Sequence, residues 1–360
     1  MKDFFLFSKR IDPKVKYVSA IKGVKSMPLI LQLKHDIDNS INRKLIRIGF
    51  KTKYEIPFIR CICGSLPVRN FDSLKALVEI NKIYYDDKAR LMGKIFPPSD
   101  HTKMPIQIKS QLLNGRGVAI GFIDTGIRKK ILAFKDFVQN RKEPYDDSDH
   151  GTAAIAVSSI PASGAGIVCA KAFDMSDHGF YSDIMASMNW ILELKEKHNI
   201  KIIVLNFGVS ANYKFPDILT IAAEELWKNG LLVVSCAGNM GPQAATITTP
   251  GCSEKLLTVG AFDVKPEKTF VLPWSSRGPG QGDTDKPDLV MPGHLASEGF
   301  MGTSASASLA AGFAALLYEK KPDISQDDAK GLLKLCCASL GELKQAQGKG
   351  YIDIKKIEEV

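Results

Sequence analysis

GVAIGFIDTG, residues 117–126, is an apolar run that ends on the triplet Asp124-Thr125-Gly126. A stretch of Val, Ile and Phe closed by a polar residue and a glycine reads as a buried strand with a turn at its carboxyl end. Later runs have the same character: GIVCAKAF, KIIVLNFG, LLVVSCAG and LLTVGAF. Segments long enough for amphipathic helices, YSDIMASMNWILELKEKHN and FPDILTIAAEELWKNG, separate several of them. Continuous apolar strands alternating with helices predict an α/β fold, a mostly parallel sheet with helices on both faces. Functional residues of such sheets gather just past the carboxyl ends of the strands. The strand-end triplets to inspect are therefore Asp124-Thr125-Gly126, Asn206-Phe207-Gly208 and Ala237-Gly238-Asn239.

The 360 residues, 45% apolar and 24% charged, are the make-up of a globular protein with room for one large core and a smaller domain. The net charge of +9 is unevenly placed: residues 1–100 carry 20 Lys/Arg against 10 Asp/Glu, the remainder 28 against 29. These basic residues are scattered among apolar ones. They predict a solvated basic face, or one that meets another part of the chain, and no nucleic-acid partner. The opening MKDFFLFSKRIDPK has an apolar core of about four residues, too short for an export signal. ASASLAAGFAALLY, about 14 residues, is too short to cross a bilayer and reads as a buried helix. The seven cysteines lack C-x-x-C spacing, which predicts reduced thiols and a cytoplasmic protein.

Pro97, Pro98 and Pro105 in IFPPSDHTKMP mark a boundary. The predicted organisation is an α+β module over residues 1–92, a linker over 93–104 and a larger α/β domain over 105–360. In the first module PLILQLKHD, IPFIRCICGSLP and KIYYDD read as strands, and SINRKLIRIG and FDSLKALVEIN as helical segments.

Asp-Thr-Gly at a strand end fits two kinds of hydrolytic site. A paired-aspartate site needs a second such triplet or a short chain that dimerises, and neither DDSDHG nor GDTDKP qualifies. A serine triad needs an acid, a histidine base and a nucleophilic serine, each held at the end of an element. DHGTAAIAVSS supplies His150 at the head of a small-residue helix. MGTSASASLAAGFAALL supplies Ser304, after a glycine and before a long buried helix whose N-terminal amides favour developing negative charge. SCAGNMG places Asn239 past an apolar strand, where its amide can donate to an oxyanion beside the Ser304 N–H without adding a titrating group. The run Asp146, Asp147, Asp149 reads as a solvated loop, with a calcium loop as the alternative, and His178 as a loop residue; His101 and His294 give no basis for a metal site.

The order Asp, His, Asn, Ser on DTG, HGT, AGN and GTSAS, with YSDIMASMNW, SSRGPG and KPDLVMPG between them, resembles the subtilisin-like serine proteases over about residues 105–340. The resemblance implies a serine endopeptidase whose chemistry requires no cofactor, with bound calcium expected from the family alone. It implies that Asn206, Phe207 and Gly208 pair with the backbone of a peptide or protein substrate, and that Ala237 and Gly238 wall the pocket for the residue before the cut. Matching ITTPGC to the floor of that pocket puts Thr248 where glycine is common, which predicts a shallower pocket for small or medium side chains. Residues 25–92 resemble the family's prodomain, an intramolecular inhibitor that is later cut away. Ala153-Ala154-Ile155-Ala156 after HGT, and Ala305-Ser306-Ala307-Ser308 after the serine, depart from the usual family residues and mark a divergent branch. Two other readings stay open: a dedicated processing protease for one partner peptide, and a non-catalytic binding protein on the same fold.

Overall fold

A computed structural model describes residues 10–97, 106–211, 217–265 and 268–360. His101, most of the proposed boundary and the start of FPDILTIAAEELWKNG lie outside the described residues. The chain forms two compact units, one running to Lys88 and including Phe180–Asn189, the other comprising Ala89–Gly179 and Trp190–Val360.

The first unit is built on four antiparallel strands, β1 (Ser26–Leu33), β2 (Lys51–Ile56), β3 (Cys61–Pro67) and β4 (Ile80–Tyr85), in the order β2-β3-β1-β4. Its helices are α1 (Pro13–Ser19), α2 (Asn39–Arg47) and α3 (Phe71–Lys75). Asp38 caps α2 by accepting from Ile41 N at 2.8 Å, and Ile41 and Leu45 then face the sheet. IPFIRCICGSLP is not one strand: Pro57–Ile59 makes a short helical turn and Arg60 adopts a left-handed backbone before β3 starts at Cys61. The turn lets β2, absent from the sequence expectation, fold back onto β3.

The second unit opens with short strands β5 (Lys88–Leu91, from Ala89) and β6 (Lys94–Ile95). Residues 89–92, assigned from sequence to the first module, and Lys94–Ile95, assigned to a linker, thus lie in this unit, Ala89–Leu91 and Lys94–Ile95 within short strands. The main sheet follows, from β7 (Ala119–Asp124), β8 (Ala133–Asp136), β9 (Gly166–Lys171), β11 (Ile200–Leu205), β13 (Leu232–Cys236), β14 (Leu257–Lys265), β15 (Lys268–Val271) and β16 (Leu289–Pro292). The order is β15-β14-β13-β11-β7-β9-β8, with β16 also on β14. Every pair is parallel except β14 with β15. Between them run the two-residue strand β12 (Phe207–Gly208) and, before it, β10 (His178–Phe180); β17 (His294–Leu295) and β18 (Phe300–Met301) follow. Strands buried on both faces need no polar side, which is why their sequences are continuous apolar runs.

The unit's helices include α4 (His150–Ser159), α6 (Ile218–Lys228) and α7 (Thr303–Lys320), while α5 (Tyr181–Glu193) belongs as far as Asn189 to the first unit. Every residue of α7 from Thr303 to Tyr318 is buried, and the helix packs on α4 and on β11, β13, β14 and β16. Its Ala, Gly and Ser residues keep it thin enough to lie there. The neighbouring strands β7, β11 and β13 present Asp124, Asn206 and Ala237 at adjacent carboxyl ends, beside the N-termini of α4 and α7. Among the described residues no helix is long and apolar enough to cross a membrane.

Candidate active site

Asp124, the last residue of β7, is fully buried, and its Oδ1 accepts from Thr125 N at 2.8 Å. The same oxygen lies 2.7 Å from Nδ1 of His150, which opens α4 and is also fully buried. Close backbone approach sets this distance. A Cβ on Gly151 would overlap the Gly126 carbonyl and stand 3.2 Å from Asp124 Cβ, so glycine after the histidine lets α4 abut the β7 turn. Thr125 Oγ1 fixes the junction by accepting from Gly151 N at 2.9 Å.

Burial pulls the His150 pKa down, but the Asp124 charge and hydrogen bond, helped by Asp177 and Asp146, outweigh it and hold the imidazole above its ordinary value of 6.5. Among the described residues His150 Nε2 and Asp124 Oδ2 find no hydrogen-bond partner.

Ser304, second in α7 and fully buried, donates from Oγ to the Asn206 carbonyl at 3.1 Å instead of to His150. Asn239 is held by its oxygen: Oδ1 accepts from Thr303 N at 3.0 Å and from Thr303 Oγ1 at 2.9 Å. Its Nδ2 is thereby turned outward and donates to the Met92 carbonyl at 2.7 Å. Gly302, at φ 131°, is the neighbour that makes room, because a Cβ there would overlap that carbonyl.

The Met92 carbonyl belongs to an extended segment of the same unit. Leu91 and Arg90 pair antiparallel with Phe207 and Gly208, Leu91 N donates to the Asp177 carbonyl at 3.1 Å, and Met92 N to the Asn206 carbonyl at 2.9 Å. Beyond Gly93, Lys94 and Ile95 pair with Met301 and Phe300. The Met92 side chain reaches the pocket residues: a Cβ on Gly208 would lie 3.0 Å from Met92 Cε and 2.8 Å from Thr248 Cβ. Thr248, buried, also closes on Gly238, where a Cβ would lie 2.6 Å from its Cγ2. Asn206, Phe207 and Gly208 therefore line one stretch of extended chain, Thr248 packs between Gly208 and Gly238, and the Ala237 carbonyl accepts from Thr248 N–H at 2.9 Å.

Residues 115–351 match the model of the subtilase family. The chain belongs to that family. It is 28% identical to serine protease AprX of Bacillus subtilis, over 88% of this chain and 84% of that one. It is 25% identical to subtilisin DY of Bacillus licheniformis, over 69% and 93%. Its fold is similar to that of fervidolysin from Fervidobacterium pennivorans, described as a keratinolytic enzyme related to subtilisin, with TM-score 0.73 at 16% identity. That match covers 94% of this chain and 62% of fervidolysin. This subtilase is a serine-type endopeptidase with the subtilisin-like α/β fold.

The acidic run before His150 differs from the solvated loop read in the sequence. Asp146 is buried and accepts from Ser148 N, Asp149 N, Thr152 N and Thr152 Oγ1, all within 3.1 Å, capping α4. Asp147 pairs at 2.6 Å with Lys171, and Asp149 at 2.6 Å with Arg128. Lys171, missed in the sequence, is a fully buried ammonium at the end of β9. It also donates to the carbonyls of Thr125 at 2.6 Å and Phe173 at 3.1 Å, tying down the loop after Asp124. A lysine closing an apolar strand beside the catalytic-type triplet was its one visible signal. Burial pushes the Cys61, Cys236 and Cys337 thiols up to about 12, which removes them as nucleophiles at neutral pH. Among the described residues no group of three or more His, Cys, Asp or Glu side chains is arranged to hold a metal ion.

Proposed function

We propose that this subtilase cleaves peptide bonds through Asp124, His150 and Ser304, with Asn239 and the Ser304 N–H binding the oxyanion, and that its first substrate is its own Met92–Gly93 bond. The observation that carries this reading is the Met92 carbonyl, which accepts from Asn239 Nδ2 at 2.7 Å while Gly93 lies against His150. A carbonyl already held by the oxyanion donor is positioned for attack rather than merely stored nearby.

In this reaction the Ser304 hydroxyl leaves the Asn206 carbonyl, to which it donates at 3.1 Å, for His150 Nε2. His150 takes the proton as Oγ bonds to the Met92 carbonyl carbon, and the oxyanion forms between Asn239 and the Ser304 amide. His150 then returns the proton to the Gly93 nitrogen as the C–N bond breaks. Water repeats the sequence on the acyl-enzyme. Asp124 holds the imidazole in the tautomer with Nδ1–H and stabilises its cation without touching substrate. No step requires a cofactor; calcium, expected from the family, takes no part in this chemistry.

In this reading residues 1–92 form a prodomain whose last residues inhibit the site until they are cut, and occupancy of the cleft by residues 89–95 supports it. The Met92 side chain against Gly208 and Thr248 supports a pocket for medium, unbranched residues. Seven free cysteines, six of them buried, support a reducing compartment. The position of Met92 also favours processing of a peptide over a purely non-catalytic binding role.

Expressing the native chain beside Ser304→Ala tests the proposal by intact mass and N-terminal sequencing. The native chain yields a product starting at Gly93 and the variant stays full length. Two uncut chains, or a cut elsewhere, would overturn it.

A further inference from the structure

Gly93 sits where no side chain fits. A Cβ built on it would lie 2.5 Å from His150 Nε2, 2.5 Å from Phe300 Cε2 and 2.9 Å from His150 Cδ2, closer than carbon approaches such atoms in packed proteins. Neither ring is free to retreat. His150 is fully buried and tied to Asp124 at 2.7 Å. Phe300 is fully buried, meets His150 edge-on with ring centroids 4.9 Å apart, and has its backbone fixed between Leu295 on one side and Ile95 on the other. Gly302 closes the opposite side, since a Cβ on it would come within 3.0 Å of Gly93 Cα. Moving His150 to admit a methyl group would displace the base itself, so the space is set by Phe300.

The positions on either side are not closed in this way. Met92 lies along the Gly208 and Thr248 wall, and Lys94 and Ile95 are exposed on the outer edge of β18. The restriction is confined to the residue that follows the cut.

From these contacts we infer that Phe300 is a specificity-determining residue that limits this protease to peptide bonds whose C-terminal partner is glycine. The inference rests on the reading of Met92–Gly93 as the bond in the site. Its substrates are then proteins with an accessible, extended Xaa-Gly bond, a medium side chain preceding the cut and a β-strand continuing beyond it to pair with Phe300 and Met301. A requirement for glycine makes most exposed loops poor substrates, because few of their bonds meet it.

Two peptides spanning residues 88–97, KARLMGKIFP and the same sequence with alanine in place of glycine, are offered to the expressed enzyme, to Phe300→Ala and to Phe300→Leu, with Ser304→Ala as the blank. The native enzyme is expected to cleave the glycine peptide about 100-fold faster in kcat/KM, the scale on which a pocket rejects one ill-fitting carbon group. Both Phe300 variants are expected to raise cleavage of the alanine peptide and shrink the ratio toward one, and Phe300→Leu keeps the test valid where the alanine variant does not fold. In the full chain Gly93→Ala is expected to block self-cleavage and Phe300→Leu to restore it. Equal cleavage of the two peptides by the native enzyme, or an unchanged ratio in a folded Phe300 variant, would refute the role of Phe300. Absence of any Ser304-dependent cut before glycine would overturn the underlying reading instead.

Discussion

Asp124→Asn changes one buried atom and leaves the shape of the side chain intact. In the native chain one carboxylate oxygen serves both Thr125 N and His150 Nδ1, and the other has no partner among the described residues. An amide can turn two ways. With its nitrogen toward His150 it donates where a proton already sits and forces the tautomer that cannot accept from Ser304. With its oxygen there, an N–H₂ group is left buried without an acceptor. Either way the negative charge opposite the imidazolium is lost. For charge centres about 4 Å apart at an effective dielectric near 20, that charge stabilises the cation by about 4 kcal/mol. Adding the tautomer penalty brings the expected loss to about 10⁴ in kcat, or about 5.4 kcal/mol. KM should change little, because Asp124 is fully buried and spends its hydrogen bonds on Thr125 N and His150 Nδ1. The pH profile separates this from misfolding. In the proposed mechanism His150 must be neutral to act, and since Asp124 holds its pKa above 6.5, native activity is expected to fall as pH drops through a point above that value. In the variant the downward pull of burial is less opposed, so the acidic limb moves to lower pH. Initial rates on KARLMGKIFP across that range, with thermal unfolding of both proteins, provide the measurement. A folded variant within about tenfold of native kcat, or one changed only in KM, would refute the reasoning.

Three further outcomes are expected. Asn239→Ala removes the donor to the Met92 carbonyl and should lower kcat by about 10²–10³ with KM nearly constant, read from the same peptide assay. Lys171→Met strands the carbonyls of Thr125 and Phe173 and unpairs Asp147; because Asp147 is partly solvated, the loss should sit near 3 kcal/mol, the low end for a broken buried pair, by urea unfolding. Asp146 is destabilised by burial, but the hydrogen bonds from Thr152, Thr125 and Ser148 outweigh this and lower its pKa. Its contribution is therefore present above the unfolded carboxylate value of about 3.9 and lost as pH falls through the lower folded value. Native and Asp146→Asn proteins should differ by about 2 kcal/mol near neutral pH and converge in acid, as denaturation curves at several pH values will report.

The sequence by itself determined the layered α/β fold, because strands buried on both faces must be apolar throughout and therefore announce themselves. It also determined which residues stand at the strand and helix ends, since the glycines beside Asp124, His150, Asn239 and Ser304 are punctuation that a close backbone approach demands. Other features were not legible. Strand β2 has no apolar run to announce it, because most of KTKYEI is exposed, and it is the turn at Pro57–Arg60 that folds it onto β3. The acidic run before His150 looks solvated in one dimension, yet Asp146 finds its donors in the first turn of α4 and Asp147 finds Lys171 on another strand. Only the tertiary structure decided that residues 89–95 are strands of the second unit, which carries Met92 to Asn239 and Gly93 to His150 and Phe300. Their pairing partners lie more than eighty residues away in the chain, and hydrogen bonding between strands leaves no trace in the sequence of either one alone.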